Sequence, residues 1–161
     1  MGDLTKNPLY ADTLNGTNNI PESKMVSNET LATTLKSYPE NANSPMVNAR
    51  DDSGNVGYGQ WLRVPNTTTW YFLSGSFNQG TGTTNTGFLA NGWFNLGWDG
   101  QDKWYYFDSA GVMKIGWHQE GNKIYYLQAD FSDNWYGKVM TGQQMIDGQI
   151  YNFDSNGALI Q

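Results

Sequence analysis

Cysteine is absent from the sequence, so neither disulfide bridges nor thiolate metal sites are available, and the redox compartment stays open. Basic residues are scarce: 9 Lys and Arg stand against 15 Asp and Glu, for a formal net charge of -6. Because no basic patch can follow a phosphate backbone, we expect no nucleic acid partner. Long apolar runs are also missing. No stretch approaches the roughly 20 apolar residues of a membrane-spanning helix, and the N-terminus lacks the apolar region of a signal peptide, so we expect no membrane insertion.

Residues suited to catalysis are few. His118 is the single histidine; it follows Trp117 on a predicted turn and is expected to be a solvated surface residue, a poor basis for a metal site or a Ser-His-Asp triad. Asp51 and Asp52 are adjacent and point apart, and the Ser-Gly after them predicts a turn. Two further acidic pairs lack EF-hand spacing and are expected in solvated turns: Asp99 with Asp102, and Asp130 with Asp133. We expect no metal, no cofactor and no catalysis.

Apolar surface is concentrated in rings. Hydrophobic residues make up 38% of the chain and aromatic residues 15%, with 19 glycines. This composition favours short β-hairpins over a large aliphatic core. The rings are unevenly distributed, because Tyr10 and Tyr38 are the only aromatic residues in 1–57. We therefore divide the chain into a polar N-terminal segment, 1–57, and an aromatic domain, 58–161.

The polar segment is expected to be extended or loop-like over 1–27, with one short helix at 28–38. Asn28 can cap this helix, Leu31, Leu35 and Tyr38 share one face, and Pro39 ends it. A single apolar stripe needs a partner, either the aromatic domain or a second copy of the chain. We therefore expect an attachment or assembly segment that could form a homo-oligomer.

The aromatic domain contains a repeat. Gly92-Trp93, Gly116-Trp117 and Gly142-Gln143 begin successive units, and a looser earlier unit runs from Trp61 through the aromatic run at 70–73. The motifs WYYF at 104–107, IYYL at 124–127 and IYNF at 150–153 align within them. Each unit is predicted to be a β-hairpin. Tight turns are expected at 121–123 in the unit that begins at Gly116 and at 147–148 in the unit that begins at Gly142. Alternate rings of a strand point to opposite faces, so Tyr105 and Phe107 are assigned to the core.

Units of the form GW, turn, WYYF, Gly-x-Met resemble the choline-binding or cell-wall-binding repeats of Gram-positive surface proteins and phage lytic enzymes. Glucan-binding repeats of glucosyltransferases are close relatives. The resemblance covers 92–161 well, extends loosely back to about 58, and excludes 1–57. It implies a mostly β fold, a superhelical, solenoid-like array of β-hairpin repeats, preceded here by an irregular segment with one short helix. Ligand cavities would lie between consecutive hairpins.

The resemblance also implies site residues. Carried onto this sequence, the best cavity uses Trp93, Trp104 and Tyr126, with Met113 as a wall. Tyr125 would replace Tyr126 if the opposite face of that strand lines the cavity. Met113 is equally well explained as core filler. A box of ring faces attracts a quaternary ammonium at roughly 0.5 to 2 kcal/mol per ring.

Two further cavities are less complete. The next would use Trp117 and Met140, but Ile124, Gln143 and Asn152 replace family aromatics, so this site is expected to be weak or absent.

An earlier cavity could join Trp61 and Trp70 with Tyr106, across an insertion at 78–91. Trp98, in an extra Gly-Trp, would enlarge or cover the first pocket.

The function implied is a noncatalytic module that binds choline-bearing cell-wall polymer such as teichoic acid, placed outside the cell, at the cell surface or on a virion. Glucan is the chief rival ligand. Two other hypotheses stay open: a structural or receptor-binding part of a phage tail or appendage, and a cell-wall hydrolase whose catalytic domain lies outside this chain.

Overall fold

The computed structural model describes residues 19–78, 83–97 and 103–161. The chain forms two compact units, Met1–Met113 and Lys114–Gln161. Strands of the first unit are β1 (Met25–Val26), β2 (Val47–Asp51), β3 (Val56–Arg63), β4 (Trp70–Asn78), β5 (Thr83–Leu89), β6 (Gly92–Asn95) and β7 (Trp104–Phe107). Strands of the second are β8 (Gly116–Glu120), β9 (Lys123–Leu127), β10 (Gly142–Ile146) and β11 (Gln149–Phe153). The predicted mostly β architecture of hairpins is confirmed.

The first unit is organised on one antiparallel sheet of seven strands in the order β1-β5-β4-β3-β2-β6-β7. Two of these strands, β1 and β2, come from the polar segment, and β2 pairs with both β3 and β6. The division at 57/58 was drawn on composition, whereas the compact units meet at 113/114. The attachment or assembly role of 1–57 stays a prediction.

The second unit consists of two hairpins, β8–β9 and β10–β11. Both predicted tight turns are confirmed: Gly121 has φ of +60° between β8 and β9, while Asp147 and Gly148 have φ of +51° and +82° between β10 and β11. Two successive positive φ values match the twist of the flanking strands, which explains the Asp-Gly sequence. Gly116 and Gly142 open the hairpins, as the repeat predicted.

The predicted short helix is present as α1 (Glu29–Ser37). The Asn28 side-chain oxygen accepts a hydrogen bond of 3.0 Å from the Leu31 N–H, which caps the first turn. Its apolar stripe is covered within the same unit, because Leu35 belongs to a core with Leu62, Leu73 and Phe88. Leu31 and Tyr38 pack against that core. The stripe therefore requires no second copy of the chain, and the main motive for an assembly role is removed.

Removing the cap should loosen this helix measurably. We expect Asn28→Ala to lower the free energy of unfolding by about 1 kcal/mol, because one N–H of the first turn loses its acceptor. Urea unfolding measures the change. Asn28→Asp keeps an acceptor and Thr33→Ala alters an exposed helical site, so both should stay within about 0.5 kcal/mol of the wild type. An equal loss in all three variants would contradict the capping role.

One five-residue turn recurs in both units. Its Asp side-chain oxygen accepts hydrogen bonds from the backbone N–H groups two and four residues later, at 2.8 to 2.9 Å, and its fourth residue is a glycine with φ between +85° and +92°. The three copies lie at 51–55, 108–112 and 154–158. The turn predicted at Asp51 is therefore confirmed. It is also a copy of the repeat's own turn, located inside the segment that the sequence resemblance left out.

Candidate functional site

The second unit contains a partly exposed group of three rings, which we call the Trp117 cluster: Trp117, Tyr126 and Tyr151. Trp117 on β8 lies opposite Tyr126 on β9 in the hairpin register, and their ring centroids are 4.9 Å apart. The ring centroid of Tyr151, on the following hairpin, is 5.0 Å from that of Trp117. Both tyrosines meet the indole at steep angles, 65° and 71°. Trp117 keeps 40% of its surface exposed, so a ligand can reach this cluster.

The first unit contains a related group around Trp61, the Trp61 cluster, with Trp70 and Tyr105. Trp61 lies 5.9 Å from Trp70 on the adjacent strand and 5.0 Å from Tyr105 on β7. Phe72 and Phe107 complete its surroundings at 5.3 and 5.9 Å. Phe72 and Phe107 are fully buried, so the cluster rests on the core of the unit.

The two clusters share one internal geometry. Trp61 meets Tyr105 at 5.0 Å and 72° and Phe107 at 5.9 Å and 34°. Trp117 meets Tyr151 at 5.0 Å and 71° and Phe153 at 6.1 Å and 38°. In each unit the tryptophan of one hairpin therefore packs on the first tyrosine and the phenylalanine of a later aromatic strand. This recurrence shows that the repeat is a structural unit on both sides of the boundary at 113/114.

Electrostatics around the Trp117 cluster favour a cation. Burial and the nearby charge of Asp147 raise the pKa of Tyr126 above its ordinary value, so its hydroxyl stays neutral. Burial, Glu120 and Asp154 raise the pKa of Tyr125 in the same way. The Asp147 carboxylate therefore adds negative potential near Tyr126, whereas Glu120 and Asp154 act on Tyr125, which alternates to the other face of β9.

The predicted site residues are distributed as follows. Trp93 contacts Tyr106 at 5.3 Å within the β6–β7 hairpin, and Trp104 is half-buried on β7. Both belong to the first unit and Tyr126 to the second, so their common cavity stays a prediction. Trp98 lies outside the described residues. Tyr105 and Met113 are 7% and 6% exposed; the core assignment of Tyr105 is confirmed, and Met113 is core as well.

In two strands, the residue that faces the tryptophan is the one next to the residue expected from the sequence. The ring that joins Trp61 is Tyr105, whereas Tyr106 alternates to the other face and lies against Trp93. The ring that joins Trp117 from the next hairpin is Tyr151. The weak site was inferred from Ile124, Gln143 and Asn152, and Asn152 lies one position beyond Tyr151. The IYNF motif contained the relevant signal, because Tyr151 aligns with Tyr105 in WYYF.

The expectation for His118 is wrong. His118 lies on β8 with its side chain only 6% exposed, because alternation along the strand turns it inward when Trp117 points out. Its Nδ1 is 2.8 Å from Lys114 Nζ, and its Nε2 is 3.3 Å from Glu120 Oε1. Since an ammonium only donates, Nδ1 accepts and Nε2 carries the proton toward Glu120. The histidine is a structural link in the hairpin.

Asp130 and Asp133 form turns, as expected. Asp130 Oδ1 accepts from the Ser132 N–H and hydroxyl at 3.0 and 2.7 Å, and Asp133 Oδ1 accepts from the Trp135 N–H at 2.7 Å. Asp99 and Asp102 lie outside the described residues. Within the parts of the chain that are described, no group of three His, Asp or Glu side chains could hold a metal ion. Over the same residues no helix is long and apolar enough to span a membrane.

Comparison with known families locates the repeats. Residues 91–113 and 115–130 match the model of a putative cell wall binding repeat. These two segments are cell-wall-binding repeats. The first repeat comprises β6, β7 and the turn at 108–112, and the second comprises β8 and β9 with Trp117 and Tyr126. Tyr151 and the Trp61 cluster, apart from Tyr105, lie outside the matched segments.

Several larger proteins contain similar repeats. Glucosyltransferase-S from Streptococcus downei is 39% identical over 80 residues, which are 48% of this chain and 5% of that protein. CbpJ from Streptococcus pneumoniae is 32% identical, with 67% of this chain and 30% of that chain covered and a TM-score of 0.44. A pneumococcal cell wall endolysin from phage Cp-1, solved with choline, is 26% identical, with 65% and 25% covered and a TM-score of 0.46. The chain spans less than a third of each.

Proposed function

We propose that the chain is a noncatalytic module that binds the quaternary ammonium groups of a choline-bearing cell-wall polymer, such as teichoic acid, through its aromatic clusters, above all the Trp117 cluster. The observation that carries this proposal is the Trp117 cluster, in which two tyrosines meet an exposed tryptophan at steep angles. An N-trimethyl group offers no hydrogen-bond donor, and electron-rich ring faces satisfy it better than carboxylates alone.

The family match supports this ligand class, because Trp117 and Tyr126 lie in a cell-wall-binding repeat and the Cp-1 endolysin was solved with choline. Action at a cell surface or on a virion follows from the same proposal. One cluster should bind choline only in the millimolar range, since two or three rings at about 0.5 to 2 kcal/mol each supply a few kcal/mol. A polymer with many choline groups would bind more tightly through avidity.

Removing the central ring tests the proposal. We expect Trp117→Ala to weaken choline binding about tenfold or more, because the indole contributes to both ring pairs of its cluster. Calorimetric titration with choline chloride measures the loss. Tyr151→Leu removes one ring while keeping an apolar side chain, and it should weaken binding by a smaller factor. Trp135→Ala is the matched control, because Trp135 is 44% exposed and stands outside the cluster.

Two results would contradict choline binding at this cluster. One is a wild-type protein that shows no heat and no thermal shift at choline concentrations on the order of tens of millimolar. The other is unchanged binding in a folded Trp117→Ala variant.

Glucan is the second candidate ligand, favoured by the identity to glucosyltransferase-S over 80 residues. Retention of the protein on dextran combined with no retention on a tertiary amine resin would favour glucan.

A further inference from the structure

The β10–β11 hairpin has one buried face and one exposed face. Alternation along the two strands turns Ile146 and Phe153 inward, where they are 7% and 3% exposed. We call the opposite face, together with the residue that follows it beside β11, the Met145 face. Its members are Gln143, Met145, Ile150, Asn152 and Ile160.

The strand register places these five side chains next to one another. Met145 is paired with Ile150, and Gln143 with Asn152, across the hairpin. The Ile160 N–H donates to Asn152 O at 2.8 Å, which places Ile160 beside Asn152. Residues that lie opposite each other in antiparallel strands share a face, so the apolar side chains and the two amides form one surface. Met145, Ile150 and Ile160 keep 69%, 55% and 60% of their surface exposed.

The equivalent face of the preceding hairpin, β8–β9, is a packing surface. It carries Trp117 and Ile124. The next hairpin contacts both residues: the Tyr151 ring lies 5.0 Å from Trp117, and the Leu159 N–H donates to Ile124 O at 2.7 Å. The fold therefore uses this face to join one hairpin to another.

The Met145 face lacks the ring on which a following hairpin packs. In both units that ring is a tryptophan. Tyr105 packs on Trp61, and Tyr151 packs in the same way on Trp117. Gln143 follows Gly142 as Trp117 follows Gly116, so an amide takes the place of the indole. An amide offers neither the area nor the flat face of an indole, and the ring stacking of the repeat is not reproduced on this face.

We propose that the Met145 face binds a second copy of this chain, face to face about a two-fold axis. Such an interface brings identical surfaces together, so a charged side chain near the axis would repel its own copy. The Met145 face has no charged member, although the chain has a net charge of -6. Its aliphatic side chains can pack on their copies. The amides of Gln143 and Asn152 both donate and accept, so they can pair with the same amides of the second copy.

The small size of the face makes this association weak. Stable interfaces use about 20 to 30 residues from each partner, and the Met145 face has five. We therefore expect a dissociation constant of about 0.1 to 1 mM. The net charge of -6 on each copy adds repulsion that salt screens, so the dimer should be tighter at high than at low ionic strength. The association goes beyond the proposed ligand binding and requires no choline.

Sedimentation equilibrium without choline, from about 20 μM to 2 mM protein, measures the association. We expect the average mass to rise from that of the monomer toward that of the dimer. Ile150→Glu should weaken the dimer about tenfold or more, because its side chain is exposed in the monomer and would bring two carboxylates together in the dimer. Met46→Glu is the matched control: Met46 is 54% exposed, lies outside the face and receives the same charge, so this variant should match the wild type.

A mixture of opposite charges separates a specific interface from general adhesion of apolar surface. Ile150→Lys alone should also weaken the dimer, whereas an equimolar mixture with Ile150→Glu should associate about fivefold more tightly than either variant alone. Four results would overturn the proposal: a wild type that stays monomeric at 2 mM, a folded Ile150→Glu that associates like the wild type, an equal loss in Met46→Glu, or a mixture no tighter than its components. Choline binding is judged separately, because Ile150 and Tyr151 alternate to opposite faces of β11.

Discussion

Gly59→Ala is expected to cost more than about 3 kcal/mol of unfolding free energy and to leave little folded protein at 37 °C. Gly59 lies in β3, between β2 and β4, and pairs with Val47 on one side and Ser74 on the other. A Cβ at this position would overlap the backbone carbonyl oxygen of Leu73 and come within 2.8 Å of the Leu73 carbonyl carbon. The strand cannot move away without breaking one of its two ladders.

The missing side chain at Gly59 also serves the Trp61 cluster. A Cβ there would lie 2.8 Å from Phe72 Cε1, so the glycine provides space for the Phe72 ring. Phe72 in turn supports Trp61 at 5.3 Å. Any Gly59→Ala protein that folds should therefore show altered tryptophan fluorescence from a displaced Trp61 ring.

Two other glycines act as graded controls. A Cβ on Gly92, at the start of β6, would meet nothing within 4 Å, so Gly92→Ala should change stability by less than about 0.5 kcal/mol. A Cβ on Gly57 would lie 3.1 Å from Gly75 O, and Gly57→Ala should fall between the two. Urea unfolding of the three variants gives the order, and a Gly59→Ala protein as stable as Gly92→Ala would disprove the close approach of β3 and β4.

Much of the hairpin architecture could be predicted from sequence, because its determinants are local. Gly116 and Gly142 need positive φ at the start of their hairpins, and Asp147-Gly148 matches a tight turn. The helix could also be predicted, since the Asn28 cap and the stripe of Leu31 and Leu35 depend only on nearby residues. Such signals depend on a few neighbouring residues and require no knowledge of tertiary pairing.

The composition of each ring cluster depended on register, which local sequence determines poorly. A shift of one residue exchanges the two faces of a strand. The tryptophans contact Tyr105 and Tyr151, whereas the expected positions were Tyr106 and Asn152, each one residue further along the strand. The same alternation carried His118 inward, although its neighbour Trp117 points outward.

The role of β2 was hidden for a different reason. Val47–Asp51 has no aromatic residue, and the repeat was recognised by its rings. Its partners β3 and β6 are separated along the chain, so this pairing depends on the tertiary structure and not on local sequence. The turn at 51–55 provided a sequence signal all the same, because its Asp-x-x-Gly pattern is shared with 108–111 and 154–157.

Asp51→Asn should be the most damaging substitution in these turns. Asp51 is only 1% exposed, and besides the backbone bonds of its turn it accepts from Asn55 Nδ2 at 2.9 Å and from Lys24 Nζ at 3.1 Å. An amide can replace the carboxylate toward the backbone N–H groups. Its Nδ2, however, would face two other donors, and Lys24 would keep only the exposed Asp52 at 3.0 Å. We expect a loss of about 2 to 4 kcal/mol, measured by urea unfolding at neutral pH.

Asp108→Asn is the matched control. Asp108 makes the same two backbone contacts in an exposed turn, at 2.9 Å each. An asparagine preserves both contacts, so the change should cost less than about 1 kcal/mol. Equal losses at the two positions would show that the Lys24 pair contributes nothing beyond the turn.

The pH dependence of stability distinguishes the contribution of the Asp51 charge from that of the hydrogen-bond geometry that an asparagine would keep. Burial raises the pKa of Asp51, but hydrogen bonds from Asn55 and Lys24 outweigh burial, and the pKa lies below its ordinary value of 3.8. A carboxyl with a lowered folded-state pKa stabilises the fold above the unfolded-state value and loses this contribution as pH falls through the folded-state value. The wild type should therefore lose stability as acid is added below about pH 4, and this loss should be smaller in Asp51→Asn. Because β2 pairs with β6 through Asp51 and Phe94, the acid-sensitive turn lies next to the strand that carries Trp93.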